Sequence, residues 1–404
     1  MVGSISNIED RLPMRALLAG ARRKQAELLA LATRLVLAES PSDDKAAVDA
    51  CMDLAAAHAS SLDGRVKRHR QRGWGDVLEL RFGPRKKSPE GRTLMLGHLD
   101  TVWPQGTLKQ MPCRIGPDSA GTARLWGPGT LDMKVGVAMA FTALEMLTEA
   151  AILEQKDGRE IILLLNSEEE VGSPVSRPIT EKLAQECSAV YVLEPAQGLA
   201  YKTSRKGTGN WRLAVEGLAA HAGVDFTRGR SAILELARLI EKVSDWTDLE
   251  RGTTVNVGVI GGGTKSNVIP AEAWAEVDVR VARRADGPRV EKRFAALKPT
   301  SQTNGCSLVV TGGINRPPME RTRGTVKLFR RAQKLAAELG ADFGCELAEA
   351  GTGGASDGNF TSALGIATLD GMGAVGEGAH ATHESVLLEH LAPRTALLAA
   401  LLAE

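Results

Sequence analysis

Short apolar segments that end in potential metal ligands are the feature that most constrains the fold of this chain. Residues 94–97 have the pattern of a buried strand, and the segment ends on His98 and, two residues later, Asp100. Alternation along a strand points these two side chains the same way. A carboxylate beside a histidine can fix the tautomer that binds a metal ion. The pair therefore suits a metal site, although a single pair of this kind is more often a polar strand end.

Two further apolar segments end in a similar way. Residues 161–165 are followed by three adjacent glutamates at 168–170, and residues 189–193 are followed by Glu194. Adjacent carboxylates beside a buried strand repel one another and lose solvation unless a cation lies nearby. Each segment alone could be a solvated strand end, but their succession along the chain favours a metal site.

The remaining potential ligands lie in glycine-rich loops. Asp132 precedes a predicted helix that runs to about Leu147, and His380 comes late in the chain with Glu384 four residues further on. Histidine nitrogens and carboxylate oxygens, without an obvious thiolate, suit zinc, manganese or cobalt. The set exceeds the roughly four ligands that one zinc ion needs. It therefore indicates two metal ions, with Asp132 as a natural bridge.

These motifs, in this order, resemble the di-zinc amidohydrolases that include aminoacylases, bacterial glutamate carboxypeptidases, acetylornithine deacetylases and succinyl-diaminopimelate desuccinylases. The resemblance extends from about Leu28 to about Leu401. It implies an α/β, zinc-exopeptidase-like catalytic domain at 1–207 and 317–404. It also implies an inserted ferredoxin-like α+β lid and dimerisation domain at 208–316, and hence a homodimer.

The sequence pattern of the inserted segment also indicates a ferredoxin-like fold. Strand-like alternation and amphipathic helical periodicity follow each other there, with strands at 211–216, 253–260, 274–280 and 307–311 and helices at 231–246 and 289–297. The order βαββαβ is that of a ferredoxin-like layer. The glycines at 261–263 indicate a flexible turn, because the Gly-Lys-Ser/Thr ending of a phosphate-binding loop is absent.

Matched position by position, the resemblance implies a role for each metal ligand. His98 and Glu194 are expected to bind one zinc ion. Glu170 and His380 are expected to bind the second, and Asp132 is expected to bridge the two. Cobalt or manganese could replace zinc in such a site.

The resemblance also implies roles for residues beside the ligands. Asp100 is expected to orient its neighbouring histidine, and Glu169 is expected to be the general base. The role of Glu168 stays open. His383 is an alternative to the late histidine ligand, although the spacing to Glu384 favours position 380.

On the substrate side, the resemblance points mainly to the inserted segment. His221 matches a histidine that reaches the active site of the partner subunit in relatives, and Asn267 and Arg280 match substrate contacts, the arginine through the substrate's carboxylate. Gly353 and Gly354 match a loop whose backbone amides face the substrate. Each assignment has an alternative without a substrate contact. His221 could be a turn histidine, Asn267 could cap a turn, and Arg280 could be a surface residue near an aspartate. The glycine loop could be a plain surface turn.

The implied activity is hydrolysis of an amide bond next to a free carboxylate, in an N-acyl amino acid or a short peptide. One alternative is a biosynthetic deacylase of the acetylornithine or succinyl-diaminopimelate type. An alternative of another class is a catalytically silent, metal-binding regulatory relative, which should have lost Glu169 or a ligand. Gly351 aligns where glutamate-selective carboxypeptidases can carry arginine, so the resemblance supports no preference for glutamate.

Composition narrows the possible partners. At 404 residues the chain exceeds the usual size of one hydrophobic core, so two domains are expected. With 50 basic and 49 acidic residues it has no net field that would attract nucleic acid or a membrane surface. The basic run at 65–72 is interpreted as a solvated strand face rather than a contact patch.

Cysteine usage and the start of the chain predict a cytoplasmic protein. The five cysteines are scattered and odd in number, which fits a reducing compartment better than a disulfide framework. Charged residues at 9–11 interrupt the start of the chain, so it lacks the continuous apolar segment of a secretory signal.

Overall fold

The computed structural model describes residues 13–155, 158–300 and 305–404, so the charged residues at 9–11 lie outside the described part of the chain. The helices are α1 (Met14–Arg23), α2 (Gln25–Leu37), α3 (Lys45–Ser61), α4 (Val135–Glu149), α5 (Arg177–Gln185), α6 (Ala232–Ser244), α7 (Asp286–Ala295), α8 (Arg323–Leu339), α9 (Gly358–Ala363) and α10 (Leu391–Leu402). The strands are β1 (Arg65–His69), β2 (Val77–Phe82), β3 (Arg92–His98), β4 (Arg114–Pro117), β5 (Ala123–Trp126), β6 (Glu160–Asn166), β7 (Ala189–Val192), β8 (Tyr201–Arg205), β9 (Gly207–Glu216), β10 (Ala220–His221), β11 (Thr254–Gly262), β12 (Val268–Ile269), β13 (Glu272–Val281), β14 (Ser307–Arg316), β15 (Glu349–Thr352), β16 (Ala367–Leu369), β17 (Gly376–Glu377) and β18 (Ser385–Leu387).

The chain divides into two compact units. The first is drawn from Met1–Ser204, Arg321–Gly351 and Ser356–Glu404, and the second from Arg205–Glu320 and Thr352–Ala355. The predicted domain bounds, 208 and 316, stay a prediction. The short segment at 352–355 also belongs to the second unit by its contacts. The sequence pattern did not indicate that the chain comes back to this unit.

The first unit is built on a six-stranded sheet with helices on both faces. Its strand order is β1-β2-β6-β3-β7-β16, and β3 runs parallel to both β6 and β7. Along β6, Leu163 belongs to the large hydrophobic core that includes α4 and α10, whereas Leu164 belongs to a smaller core with Leu183 of α5. Because both faces are covered, these strands are continuously apolar rather than alternating. The predicted α/β class is confirmed.

Helix α4 is central to the position of the site. It is apolar around most of its circumference, as expected for a helix packed inside a domain, and it packs against α2 and α10. It begins at Val135, three residues after Asp132. The buried helix therefore anchors one end of the loop that carries this carboxylate.

A four-stranded antiparallel sheet, β17-β18-β5-β4, completes the first unit near its site. Ser385 of β18 pairs with Trp126 of β5. The loop that contains His380 joins β17 to β18, and β5 leads into the loop that contains Asp132. This sheet therefore connects two loops that are far apart in the sequence. Within the described residues, every helix is too short or too polar to cross a bilayer.

The second unit is a four-stranded antiparallel sheet with two helices on one face. Its strand order is β11-β13-β9-β14, and α6 and α7 supply the helical layer. Trp211 of β9 stacks on Phe294 of α7 with ring centroids 4.3 Å apart. The ferredoxin-like layer predicted from the order βαββαβ is confirmed. The short strands β10 and β12 form an additional antiparallel pair that the sequence pattern did not indicate.

Candidate active site

The carboxyl ends of β3, β6 and β7 meet at one edge of the six-stranded sheet. His98 is the last residue of β3 and pairs with Asn166, the last residue of β6. The glutamates at 168–170 follow β6, and Glu194 follows β7 after one intervening residue. Open α/β sheets bind ligands at this edge because the loops after parallel strands converge there. The strand-end residues singled out in the sequence are therefore brought together by the topology of the sheet.

His98 contacts three carboxyl groups. Its Nε2 atom lies 3.2 Å from Oδ1 of Asp132 and 3.7 Å from Oε1 of Glu194. Its Nδ1 atom lies 3.0 Å from the backbone carbonyl oxygen of Asp100 and 3.3 Å from Oδ1 of the same residue. One ring nitrogen is thus held by Asp100, and the other faces the carboxylates of the site.

His380 lies in a second group of side chains. Its Nε2 atom is 3.3 Å from Oδ2 of Asp132 and 3.2 Å from Oε2 of Glu170. The two oxygens of Asp132 therefore face two different histidines. The alternative ligand His383 is exposed and forms no ion pair with the residues that the structure describes.

The donor set fits divalent metal ions. Ligand atoms of His98, Asp132 and Glu170 all lie within 4.8 Å of one another, as do those of His98, Glu169 and Glu194. Oε1 of Glu170 is buried and accepts no hydrogen bond from the described residues. Several carboxylates this close together in a buried place need positive charge to offset their repulsion and lost solvation. Histidine nitrogens and carboxylate oxygens are ligands that zinc and similar ions prefer.

The electrostatics of the site favour positive charge between the carboxylates. Burial alone would lower the pKa of His98, but hydrogen bonds with Asp100, Asp132 and Glu194 raise this pKa well above its ordinary value. Hydrogen bonds with Asp132 and Glu170 raise the pKa of His380 to about 10. A metal ion that binds imidazole nitrogen takes the place of a proton, so metal binding by these histidines would release protons.

The pKa values of Asp132 and Glu170 shift in opposite directions. Burial by itself would raise the pKa of Asp132, but its contacts with His380 and His98 hold this pKa well below the ordinary range. The pKa of Glu170 is raised because burial outweighs its hydrogen bond with His380. Asp132 is therefore the more firmly ionised of the two, as a ligand shared by two cations should be.

Asp100 joins the histidine at the end of β3 to the loop after β6. Its Oδ1 atom accepts a hydrogen bond from the backbone N–H of Glu169, and its Oδ2 atom accepts one from the backbone N–H of Glu170, both at 3.1 Å. Oδ2 also accepts a hydrogen bond of 2.7 Å from the hydroxyl of Ser42. Nothing in the sequence indicates this contact of Ser42, because a serine in a segment without any ligand motif carries no such signal.

Glu168, whose role was open, is a fully buried residue that holds its own loop. Its Oε1 atom accepts hydrogen bonds from the backbone N–H groups of Val175 and Ser176, at 3.0 and 2.6 Å. Its Oε2 atom accepts one of 2.6 Å from the hydroxyl of Ser167. Both carboxylate oxygens therefore bind the protein itself. This geometry separates Glu168 from Glu169 and Glu170, which come next in the chain.

Glu169 is placed beside the first histidine group. It is 7% exposed, and it lines a narrow cavity together with Met133, Glu194 and Asp357. Its side chain shares with His98 and Glu194 the set of ligand atoms within 4.8 Å. A carboxylate at this distance from the potential metal ligands can reach a water molecule held between them.

Two of the predicted substrate-side residues are neighbours within the second unit. Nδ1 of His221 accepts hydrogen bonds from the backbone N–H groups of Gly223 and Val224, at 3.1 and 3.2 Å. His221 is an exposed residue. The backbone carbonyl of Asn267 accepts a hydrogen bond of 3.0 Å from Ala222, the residue after His221. The exposed imidazole and amide thus lie on adjoining segments.

Arg280 forms an ion pair with a residue of its own strand, β13. Its Nε and Nη2 atoms donate to the two oxygens of Asp278 at 2.8 and 2.9 Å. Gly354 belongs to the segment at 352–355, where its carbonyl oxygen accepts a hydrogen bond of 3.3 Å from Arg205. Gly353, in the same segment, is exposed.

Comparison with known proteins identifies the family. Residues 94–404 match the model of peptidase family M20/M25/M40, so the chain belongs to this family. Among curated proteins, the chain is 28% identical over 388 residues to carboxypeptidase G2 from Pseudomonas sp. (strain RS-16), an alignment that covers 95% of this chain and 90% of the relative. The resemblance inferred from the sequence motifs is confirmed.

Solved structures show the same fold. Aminopeptidase PepT from Bacillus cereus is 22% identical with a TM-score of 0.74, and the match covers 94% of this chain and 98% of that one. YXEP from Bacillus subtilis, described as a dinuclear metal-binding peptidase of the M20 family, is 14% identical with a TM-score of 0.66 over 95% of this chain and 98% of that one. The present protein is thus a metal-dependent peptidase or amidohydrolase that hydrolyses amide bonds next to a carboxylate.

Proposed function

We propose that the protein is a di-zinc hydrolase that cleaves N-acyl amino acids or short peptides at the amide bond next to their free carboxylate. The observation that carries this proposal is the position of Asp132, whose two oxygens lie 3.2 and 3.3 Å from the Nε2 atoms of His98 and His380. Such a carboxylate can bridge two ions. Glu194 would complete the first ligand group and Glu170 the second. Cobalt or manganese would fit the same oxygen and nitrogen donors.

When bound, two such ions would polarise the substrate carbonyl and lower the pKa of water. Glu169 would accept the proton of the attacking water and deliver it to the leaving amine, since a buried carboxylate beside the ligands can act as general base and then as general acid. Asp100 would keep a metal ligand and the general base in place, because it contacts His98 and the backbone of Glu169.

The substrate's other contacts would come from the second unit. His221, which is exposed, would stabilise the oxyanion at the active site of a partner subunit, which makes a homodimer part of the proposal. Asn267, Arg280 and the backbone amides of Gly353 and Gly354 would bind the substrate. A planar guanidinium suits a carboxylate because it can donate two parallel hydrogen bonds, as Arg280 does towards Asp278.

The amide that we propose as substrate is of the carboxypeptidase type. Carboxypeptidase G2, the relative that aligns over 95% of this chain, supports a carboxypeptidase-type substrate. The cytoplasm is the proposed compartment, since Cys51, Cys113, Cys187, Cys306 and Cys345 are all free thiols.

A substrate panel tests the proposal. The purified protein is supplied with zinc, cobalt or manganese and offered N-acyl amino acids, dipeptides, and the same compounds with the carboxylate converted to an amide. Hydrolysis restricted to the free acids is the expected result. Hydrolysis confined to acetylornithine or succinyl-diaminopimelate would identify a biosynthetic deacylase instead. Binding of metal without any turnover across the panel would favour a catalytically silent relative.

A further inference from the structure

Glu384 makes an unusual set of contacts with the loop that carries Asp132. The residue is 1% exposed and lies directly before β18. Its Oε1 atom accepts hydrogen bonds from the backbone N–H groups of Leu131 and Asp132, at 2.9 and 3.0 Å. Its Oε2 atom accepts one from the backbone N–H of Gly129 and one from the indole N–H of Trp103, both at 2.9 Å.

These contacts use the whole carboxylate. Each oxygen receives two hydrogen bonds, so the roughly four acceptor positions of an ionised carboxyl group are all occupied by the protein. Glu384 therefore has no acceptor position left for a metal ion. Its role therefore concerns the backbone N–H groups and the indole that donate to it.

The loop needs such an acceptor because its backbone is irregular. Gly129 has a φ of +70°, and Asp132 has φ −115° and ψ 89°, which are not helical angles. The N–H groups of this segment therefore lack the carbonyl partners that a regular helix would supply, and an unpaired buried N–H is costly. Glu384 supplies the acceptors. By accepting from the N–H of Asp132 itself, it restricts the position of the carboxylate that faces both histidines.

The same residue connects this loop to the segment that carries His380. Its backbone carbonyl accepts a hydrogen bond of 3.2 Å from Gly127, and its backbone N–H donates to Ala381, the neighbour of His380, at 3.0 Å. Glu384 therefore lies between the bridging carboxylate and one of the two histidines that this carboxylate faces.

We propose that Glu384 is a positioning residue that holds Asp132 in the orientation needed to bind two metal ions at once, with Trp103 holding Glu384 in turn. The proposal rests on the proposed function, since it assumes that Asp132 bridges two ions. It gives Glu384 no contact with substrate or metal. Groups that orient metal ligands typically change metal affinity by about 10- to 100-fold when they are replaced.

The test compares Glu384→Gln and Trp103→Phe with the wild-type protein. The amide keeps the size of the side chain, but only its oxygen can accept, and its NH₂ group faces N–H donors. Each protein is titrated with cobalt, followed by the visible absorption of the bound ion, and with zinc in a calorimeter; circular dichroism reports the fold. We expect folded Glu384→Gln to bind metal about 10- to 100-fold more weakly with an altered cobalt spectrum. Trp103→Phe, which keeps the three backbone contacts, should lose less than about tenfold.

Steady-state kinetics add a readout that a general loss of stability would not produce. Added zinc should restore kcat in Glu384→Gln while KM stays at the wild-type value, because only occupancy of the site has changed. If Glu384→Gln does not fold, Glu384→Asp takes its place; it keeps the charge but withdraws the carboxylate from the loop, and the same loss of affinity is expected.

Two results would overturn the proposal. The first is wild-type metal affinity and an unchanged cobalt spectrum in a folded Glu384 variant. The second is failure of both Glu384 variants to fold, which would assign the residue to the stability of the domain. Absence of metal binding in the wild-type protein would reject the proposed function instead, so the two failures are distinguishable.

Discussion

The Oδ2 atom of Asp132 lies 3.3 Å from the Nε2 atom of His380, although the two residues come from distant parts of the chain. One belongs to the loop before α4 and the other to the loop between β17 and β18. The remaining oxygen of Asp132 faces His98 at the end of β3. Three separate segments therefore meet at one carboxylate.

Asp132→Asn should weaken the binding of both metal ions rather than one. The amide has one oxygen acceptor and no charge, so it cannot neutralise and join two cations. Elemental analysis after gel filtration should find close to two divalent ions per wild-type chain and far fewer in the variant, with matching loss of activity. Asp342→Asn is the control, because Asp342 forms an ion pair only with the exposed Arg22 among the residues that the structure describes. A variant that retained both ions would argue against the bridge.

Replacement of the neighbouring residues Glu169 and Glu170 should give different defects. Glu169→Ala should lose turnover by about 10²- to 10⁴-fold while keeping its metal, since the proton transfer is lost and the ligands remain. Glu170→Ala should lose metal affinity first, because Glu170 contacts His380. Turnover and metal content are measured on the same preparations.

Glu168→Ala provides the matched control for this pair. It should lower stability by about 1–3 kcal/mol, because the part-buried N–H group of Val175 and the buried N–H group of Ser176 lose their acceptor. Its metal content and its turnover at low temperature should remain. If Glu168→Ala abolished turnover and Glu169→Ala did not, the general base would have to be reassigned to Glu168.

Mixed dimers should reveal whether His221 acts across subunits. His221→Ala and Glu169→Ala should each be folded, metal-loaded and nearly inactive, with defects in different units of the chain. Subunit exchange between them should restore up to about a quarter of wild-type activity if exchange is random and each site acts independently. Native mass spectrometry verifies the exchange. Proven heterodimers without recovered activity would mean that His221 does not complete a partner's site.

Arg280→Ala should discriminate between acids and amides as substrates. Loss of a charge-assisted pair with the substrate carboxylate should cost roughly 1.5 to 3 kcal/mol, seen as a higher KM for the acid and little change for its amide. Arg212→Ala is the control, because Arg212 also lies on a strand of the second unit and pairs with Glu276. Equal effects on acid and amide would leave Arg280 as the partner of Asp278 only.

Acid should destabilise the protein in part through Glu79. Burial would raise the pKa of this carboxyl group, but hydrogen bonds with Arg81, His69 and Lys67 lower it from 4.5 to about 2. The unfolded chain therefore binds a proton at Glu79 more readily than the folded one. The stabilisation, up to about 3 kcal/mol, is complete above the unfolded pKa and is lost as the pH falls from about 4.5 towards 2.

Urea unfolding as a function of pH checks this assignment. Glu79→Gln should be less stable than wild type at neutral pH, and its stability should depend less steeply on pH below about 4.5. Glu276→Gln, at an exposed ion pair with Arg212, serves as the control and should follow the wild-type curve. Parallel curves for wild type and Glu79→Gln would exclude Glu79 as the source of the acid sensitivity.

The sequence by itself determined the chemical types of the site and the elements that carry them. His98, Glu170 and Glu194 stand at or just after the ends of apolar segments, and a strand places its end residues by local geometry alone. The order of strands and helices in the inserted segment likewise follows from short-range periodicity. Both kinds of signal lie within a few residues, so they can be interpreted without knowledge of the packing.

Only the tertiary structure decided which groups hold the ligands in place. Glu384 and Glu168 accept hydrogen bonds mainly from backbone N–H groups, and Ser42 donates to Asp100 from another segment. Every residue except proline has a backbone N–H, so such contacts leave no pattern in the sequence. The pairing of Asp132 with two histidines also depends on how distant loops pack, because the spacing of residues along a chain does not specify their distance in the fold.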